Sequence, residues 1–411
     1  HFYIGKHNTQ TGTDCFITKS AGRMIPVIHG SSDRKRGAAF ALMKVLILSV
    51  TAGNGHNAAA KAAEEALKTR GAEVMVVDMF KYASKAYYDT VDKGYLLSTK
   101  YTPRYYGRLY SALEKKPALR RRIISMITTD LITNKFSLFI RDFGPDAVVC
   151  THVFGAMVLD ELKAKKKFDT PVISILTDYT FHPFWDDLPF IEYIVTGSPL
   201  MDRMASKKGI PGEKLLPFGI PVNPKFIKSI CKTEARAKLG LDPHMFTVLY
   251  MSGSMGFGHI TKNIRILDSM AEDMQIICVC GNNEKAYGKL KSMDLKKNIL
   301  VYGFAENIDL FMDAADCAVT KPGGMTITEC IHKKLPMIFC DAIPGQEVRN
   351  AEFFVNLGAA QMCSRHFCVD DAIYMLIHSP ARQAQMSEIL GTIAPEDPAG
   401  RLLSFIENLC G

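Results

Sequence analysis

The chain has 411 residues, a formal net charge of +8, 47% hydrophobic and 22% charged residues. The length allows two or three domains, and the composition is that of a globular protein with a sizeable core. No run of about 18 apolar residues occurs, which excludes a single continuous spanning helix. Eleven scattered cysteines without a CxxC pair speak against a disulfide framework or a zinc site and for a reducing compartment.

Residues 1–42 lack periodicity, begin with His1 and carry no secretory apolar core. A strand pattern starts directly after Met43, so 1–42 are expected to form an extension outside the fold, with Met43 as the natural start. The charge is uneven. Residues 44–222 carry 25 Lys/Arg and 19 Asp/Glu, residues 223–411 carry 19 and 21. A basic first half points to an anionic partner, with lipid and nucleic acid both open at this level.

Lys44–Val50 is almost wholly apolar, as a strand covered on both faces is. A glycine-bearing turn over Thr51–Asn57, a helix over Ala58–Thr69 and a strand over Glu73–Asp78 complete a parallel crossover unit. Further strands are predicted at Ala147–Thr151, Val172–Leu176 and Tyr193–Thr196. The pattern then restarts with Thr247–Ser252, Gln275–Cys280, Ile299–Tyr302, Cys317–Thr320 and Pro336–Phe339. Two doubly wound α/β halves follow, hinged at the Gly- and Pro-bearing segment Phe218–Pro224.

Four motifs sit where open α/β sheets place ligands, between a strand end and a helix start. The first, Gly53-Asn54-Gly55-His56, puts a histidine near a helix N-terminus. The dipole there disfavours the imidazolium and leaves the neutral ring that a general base requires. The second, Gly253-Ser254-Met255-Gly256-Phe257-Gly258-His259, offers backbone N–H groups to a pyrophosphate. Its GxxGxG spacing is not the dinucleotide fingerprint. The third, Lys321-Pro322-Gly323-Gly324-Met325-Thr326-Ile327-Thr328-Glu329, opens a second helix toward a phosphate. Glu329, one turn further in, can accept from ribose hydroxyls. The fourth, Gly345-Gln346-Glu347-Val348-Arg349-Asn350, carries polar side chains suited to sugar hydroxyls. Each motif alone also fits a plain turn, a helix cap or a solvated loop.

Two further segments stand out. Lys81–Arg122 combines eight tyrosines with eleven Lys/Arg, which suits a lipid headgroup interface or single-stranded nucleic acid, or else a solvated helical face. The loop Asp178–Trp185 follows a strand and holds Asp178, His182 and the only tryptophan, Trp185; such a loop can line an acceptor cleft.

The four motifs, in this order, resemble the monogalactosyldiacylglycerol synthase and processive diacylglycerol glucosyltransferase family, related to the lipid II-forming N-acetylglucosaminyltransferase. The resemblance covers Met43 to the C-terminus. It implies a GT-B fold: an acceptor- and membrane-binding Rossmann-like domain over 43–221, a UDP-sugar domain over 222–395, and a C-terminal helix in 396–411 crossing back to the first. It implies His56 as catalytic base. Gly253, Ser254, Met255, Gly256, Gly324, Met325 and Thr326 would lie around the donor phosphates and Glu329 on the ribose. Phe304 and Ala305 would contact the uracil, and Gln346 and Glu347 the sugar. Gly55, Asp178, His182 and Trp185 would face the acceptor.

The resemblance further implies inverting transfer of glucose or galactose from a UDP-sugar to diacylglycerol, the alternatives being a UDP-N-acetylglucosamine-dependent transferase with another lipid acceptor or a non-catalytic nucleotide-sugar-binding protein. The enzyme would sit on anionic lipid at the inner face of the cell membrane, with no nucleic-acid partner. No DxD string is present to hold a metal, and no cofactor is expected; peptide N–H groups would carry the charge of the leaving diphosphate.

Overall fold

The computed structural model describes residues 43–51, 54–83, 103–256 and 258–411. The expected extension 1–42, Gly53, Phe257 and the tyrosines at 87, 88, 95 and 101 lie outside the described residues.

Two six-stranded parallel sheets form the molecule. The first contains β1 (Lys44–Ser49), β2 (Glu73–Asp78), β3 (Ala147–Cys150), β4 (Val172–Ile175), β5 (Tyr193–Val195) and β6 (Leu215–Leu216), in the order β2-β1-β3-β4-β5-β6. The second contains β7 (Thr247–Met251), β8 (Gln275–Val279), β9 (Ile299–Tyr302), β10 (Cys317–Thr320), β11 (Met337–Phe339) and β12 (Ala360–Met362), in the order β12-β11-β10-β7-β8-β9. Residues of β1, β3, β7 and β8 are buried on both faces, as helix-covered parallel strands require. The edge strands β6 and β12 are absent from the sequence reading. They have two and three residues, too few to show a period.

The helices that position the site are α1 (Asn54–Lys68), α2 (Pro103–Lys115), α3 (Pro117–Ile127), α4 (Asp130–Phe143), α5 (Val153–Ala164), α6 (Gly324–His332), α7 (Gln346–Leu357) and α8 (Pro398–Cys410). No single described helix is long and apolar enough to cross a membrane; α3 and α4 pass that test only as a pair bent by 58°.

Helix α1 starts four residues before the predicted Ala58. Propensity argues against helix at Gly55. However, Asn57 is fixed by Ser49 Oγ, 2.7 Å from its Oδ1, and by Thr51 Oγ1, 3.2 Å from its Nδ2. These contacts override the local preference and put His56 inside the first turn.

Two close contacts between the halves depend on glycine. Gly219, at φ 88°, carries the connection between them under the returning chain; a Cβ there would lie 2.3 Å from Pro395 Cγ. Helix α8 then packs on the first half. Phe405 meets Tyr193 and Phe218 with ring centroids 4.8 and 5.7 Å apart. At the opposite contact a Cβ on Gly324 would lie 1.8 Å from the Thr177 carbonyl oxygen, so only glycine permits this approach.

Candidate active site

Each sheet has a switch point where the strand order reverses, β1/β3 in the first and β7/β10 in the second. Ligands of open α/β sheets bind beyond the carboxyl ends of the strands at such points. The two switch points face each other across a cleft of ≈ 280 Å³. From the first half, His56 follows β1, and Thr177 and Asp178 follow β4. From the second, Ser252 to Met255 follow β7, Lys321 to Glu329 follow β10, and Ile343, Gln346 and Glu347 follow β11.

His56 Nδ1 lies 2.7 Å from the Thr151 carbonyl oxygen and 3.0 Å from Thr177 Oγ1. A carbonyl only accepts, so Nδ1 carries the ring hydrogen and Nε2 keeps its lone pair. Burial pushes the pKa of His56 down to about 4, against the smaller opposing effect of the Thr151 hydrogen bond. The ring is neutral at pH 7. The dominant cause is desolvation, a stronger effect than the helix dipole invoked from sequence.

Across the cleft, α6 begins at Gly324 with no side-chain cap. Gly324, Met325 and Thr326 line the cleft, where helix-start N–H groups favour an anion. Lys321, the only Lys or Arg among the described lining residues, holds Glu347 at 3.0 Å. Glu329 faces the same space. Burial raises its pKa to about 8, with Lys225 lowering and Asp309 raising it to smaller extents. Asp178 is raised to about 6, first by burial; hydrogen bonds from Asn350 and the Gly324 backbone act the other way.

A family model described as monogalactosyldiacylglycerol synthase matches residues 56–222, and the glycosyltransferase family 28 C-terminal domain matches 247–395. A processive diacylglycerol beta-glucosyltransferase of Bacillus cytotoxicus is 28% identical over 366 residues, covering 88% of this chain and 93% of that one. One of Bacillus cereus strain 03BB102 is 29% identical over the same coverage. Among solved structures, Acinetobacter baumannii MurG aligns with a TM-score of 0.58 at 14% identity, over 89% of this chain and 99% of that one. The glycosyltransferase VinC, in complex with dTDP, aligns at 0.57 and 15% identity, over 90% and 99%. The chain is a glycosyltransferase, each half matching a family model of such enzymes. Its fold is GT-B.

In this glycosyltransferase the cleft gathers His56, Gly55, Asp178, Gly253, Ser254, Met255, Gly324, Met325, Thr326, Glu329, Gln346 and Glu347. Gly256 is not among them. Its N–H is spent on the Gly253 carbonyl at 3.1 Å, and a Cβ there would lie 2.0 Å from the Cys280 carbonyl oxygen. The turn uses this glycine for packing. Phe304 and Ala305 follow β9 and are not among the residues lining the cleft either; Phe304 is 58% exposed.

Asp178 links the two halves: Asn350 Nδ2 donates to its Oδ1 at 2.7 Å. His182 and Trp185 line a smaller inner cavity of ≈ 60 Å³ behind His56, where Trp185 is a buried wall residue.

The described part of the tyrosine-rich segment differs from the expected interface. Tyr82 packs on Phe136 and Phe139. Tyr110 is buried, Tyr106 OH donates to Gln346 Oε1 at 2.9 Å, and Arg120 is buried on Asp187. Only Tyr105 of the four is exposed. Helix α2 therefore buttresses the fourth motif, with Arg349 bridging to Glu114 at 2.6 Å.

Sequence reasoning missed Lys321, read only as part of a turn, and Thr151 and Thr177, the partners of His56. Their strand-end positions were the available signal. One cluster with metal-ligand spacing, Cys368, Asp370 and Asp371, is described. It is the capping box of the helix Val369–His378, in which Asp371 accepts from the Cys368 N–H at 2.8 Å.

Proposed function

We propose that this enzyme transfers glucose or galactose from a UDP-sugar to the free hydroxyl of diacylglycerol, with inversion at the anomeric carbon. His56 Nε2 takes the hydroxyl proton, and the oxygen attacks the anomeric carbon from the face opposite UDP. The bond from that carbon to the β-phosphate oxygen breaks, and its electron pair leaves with UDP. The products are a β-glycosyl diacylglycerol, UDP and a proton held by His56. The α6 N-terminus and Lys321 receive the charge developing on the diphosphate. Glu329 takes the ribose hydroxyls, and Gln346 and Glu347 the sugar.

The observation that carries this reading is the neutral, oriented imidazole of His56 sharing one cleft with an uncapped helix start. The acceptor class is that of the diacylglycerol glucosyltransferases to which the chain is similar.

The acceptor is a lipid, so the reading includes peripheral binding to anionic membrane at its inner face. In support, Tyr105, Leu109, Met126, Leu131 and Leu138 are all exposed on α2, α3 and α4, beside exposed Arg108, Arg121 and Arg122. Each cation near an anionic surface contributes about 1 kcal/mol.

Thin-layer chromatography of products from diacylglycerol with UDP-glucose, UDP-galactose and UDP-N-acetylglucosamine in turn tests the reading. A new glycolipid with one of the first two is expected. Labelling of another lipid class alone, or by UDP-N-acetylglucosamine alone, contradicts it.

A further inference from the structure

Three histidines line the inner cavity behind the cleft: His56, His152 and His182. The backbone fixes a different hydrogen position on them. His56 Nδ1 faces a carbonyl, so its Nε2 is bare. His152 Nδ1 faces the Phe154 N–H at 3.1 Å, and an N–H only donates. His152 Nδ1 is therefore the bare atom, and its neutral ring carries hydrogen on Nε2. His182 Nδ1 faces the Phe184 N–H at 3.4 Å, with the same consequence. Burial keeps all three rings uncharged at neutral pH. The three histidines that line one small cavity thus carry between them one bare Nε2 and two Nε2–H donors. The rings of His56 and His152 stand edge to face with centroids 4.4 Å apart. Among the described residues, none takes the Nε2 hydrogen of His152.

A donor at this place does not suit the reacting oxygen. That oxygen gives its proton to His56 and needs its lone pair for the anomeric carbon, and an N–H on it would hold the lone pair back. The donor suits an oxygen that accepts without reacting, a few ångströms from the hydroxyl. In a diacylglycerol that is the carbonyl of the neighbouring acyl ester. A histidine retained only to cap α5 would need no second nitrogen; Asn, Asp or Ser caps a helix as well or better.

We propose that His152 is an acceptor-positioning residue, whose Nε2–H holds an acyl ester carbonyl beside the hydroxyl that His56 deprotonates. This rests on the diacylglycerol reading above and adds to it a requirement for an ester. His182 is the second donor of the same subsite.

Two substitutions separate this role from helix capping. His152→Asn keeps a side-chain acceptor for the Phe154 N–H and loses the donor at the Nε2 position. His152→Gln carries an amide N–H out to that position and gives up the favoured cap. Transfer is measured with a 1,2-diacylglycerol and with its 1,2-dialkyl ether analogue, which lacks the carbonyls, and UDP binding by calorimetry reports folding. The wild type prefers the ester by about tenfold in kcat/KM, as one hydrogen bond predicts. His152→Asn falls to the ether level with both acceptors, while His152→Gln keeps the preference within a few fold. UDP affinity is unchanged in both. No ester preference in the wild type, or an ester preference kept by Asn and lost by Gln, overturns this inference alone. A wild type that transfers to neither acceptor overturns the diacylglycerol reading and the inference with it.

Discussion

Asn350 of the second half donates its side-chain amide to Asp178 Oδ1 of the first at 2.7 Å. The same amide reaches the Pro322 carbonyl at 3.0 Å, and Asn350 Oδ1 accepts the Tyr179 N–H at 2.9 Å. One fully buried side chain therefore joins the loops after β4 and β10 to helix α7, and residues of all three segments line the cleft.

Asn350→Ala removes three hydrogen bonds and leaves the Asp178 carboxyl with one partner fewer. A net loss of about 2–4 kcal/mol follows. Urea unfolding of wild type and variant measures it; a change below about 0.5 kcal/mol would show that the cleft is held elsewhere.

Glu329 predicts a linked proton. In the free enzyme burial raises its pKa to about 8, so at pH 7 most of it is protonated. Ribose hydroxyls that donate to a carboxylate lower that value on binding. The bound form then holds fewer protons, and donor affinity rises with pH until about pH 8 and levels off. Calorimetry with UDP-glucose at pH 7, in buffers of different ionisation enthalpy, should show release of nearly one proton. Glu329→Gln should abolish the release. Binding without proton release would take Glu329 off the ribose.

Lys321 predicts a difference between diphosphate and nucleoside. Its ammonium lies 3.0 Å from a Glu347 carboxylate oxygen. Lys321→Met should weaken UDP about tenfold, within the range of one charge-assisted hydrogen bond, and leave uridine unchanged. Equal losses for both ligands would mean that the lysine only holds the loop.

The exposed apolar residues predict the membrane face. Leu131 is 81% exposed at the start of α4, and Leu138 lies two turns on. Leu131→Glu with Leu138→Glu should cut co-sedimentation with anionic vesicles severalfold while UDP affinity stays intact. Undiminished binding would place the contact on another face.

Much of this was legible in the sequence, for physical reasons that differ by element. Strands buried on both faces, such as β1 and β8, announce themselves as unbroken apolar runs, and the glycine turns after β1, β7 and β10 mark the two switch points. Pairings distant in sequence left no trace: nothing local tells that Tyr106 reaches Gln346, or that Thr151 orients His56. Basic, aromatic composition in α2 read as a surface, yet Tyr110 and Arg120 are buried, because the second half and the loop after β4 cover them. The GxxGxG string likewise could not say which glycine faces a ligand. Gly256 turns inward to let the chain pass Cys280.

The central claim is that His56 acts as a neutral base beside a donor held by other groups. It is tested most directly by His56→Ala, with transfer from a labelled UDP-sugar to diacylglycerol and UDP affinity measured on the same preparation. A general base contributes about 10²–10⁴-fold, so transfer should fall by that factor while UDP affinity stays within a few fold. In the wild type, kcat at saturating UDP-sugar should hold through pH 6.5 without a histidine-like fall there, since the ring protonates only near pH 4. Transfer that survives the substitution, or UDP binding that disappears with it, would contradict the account.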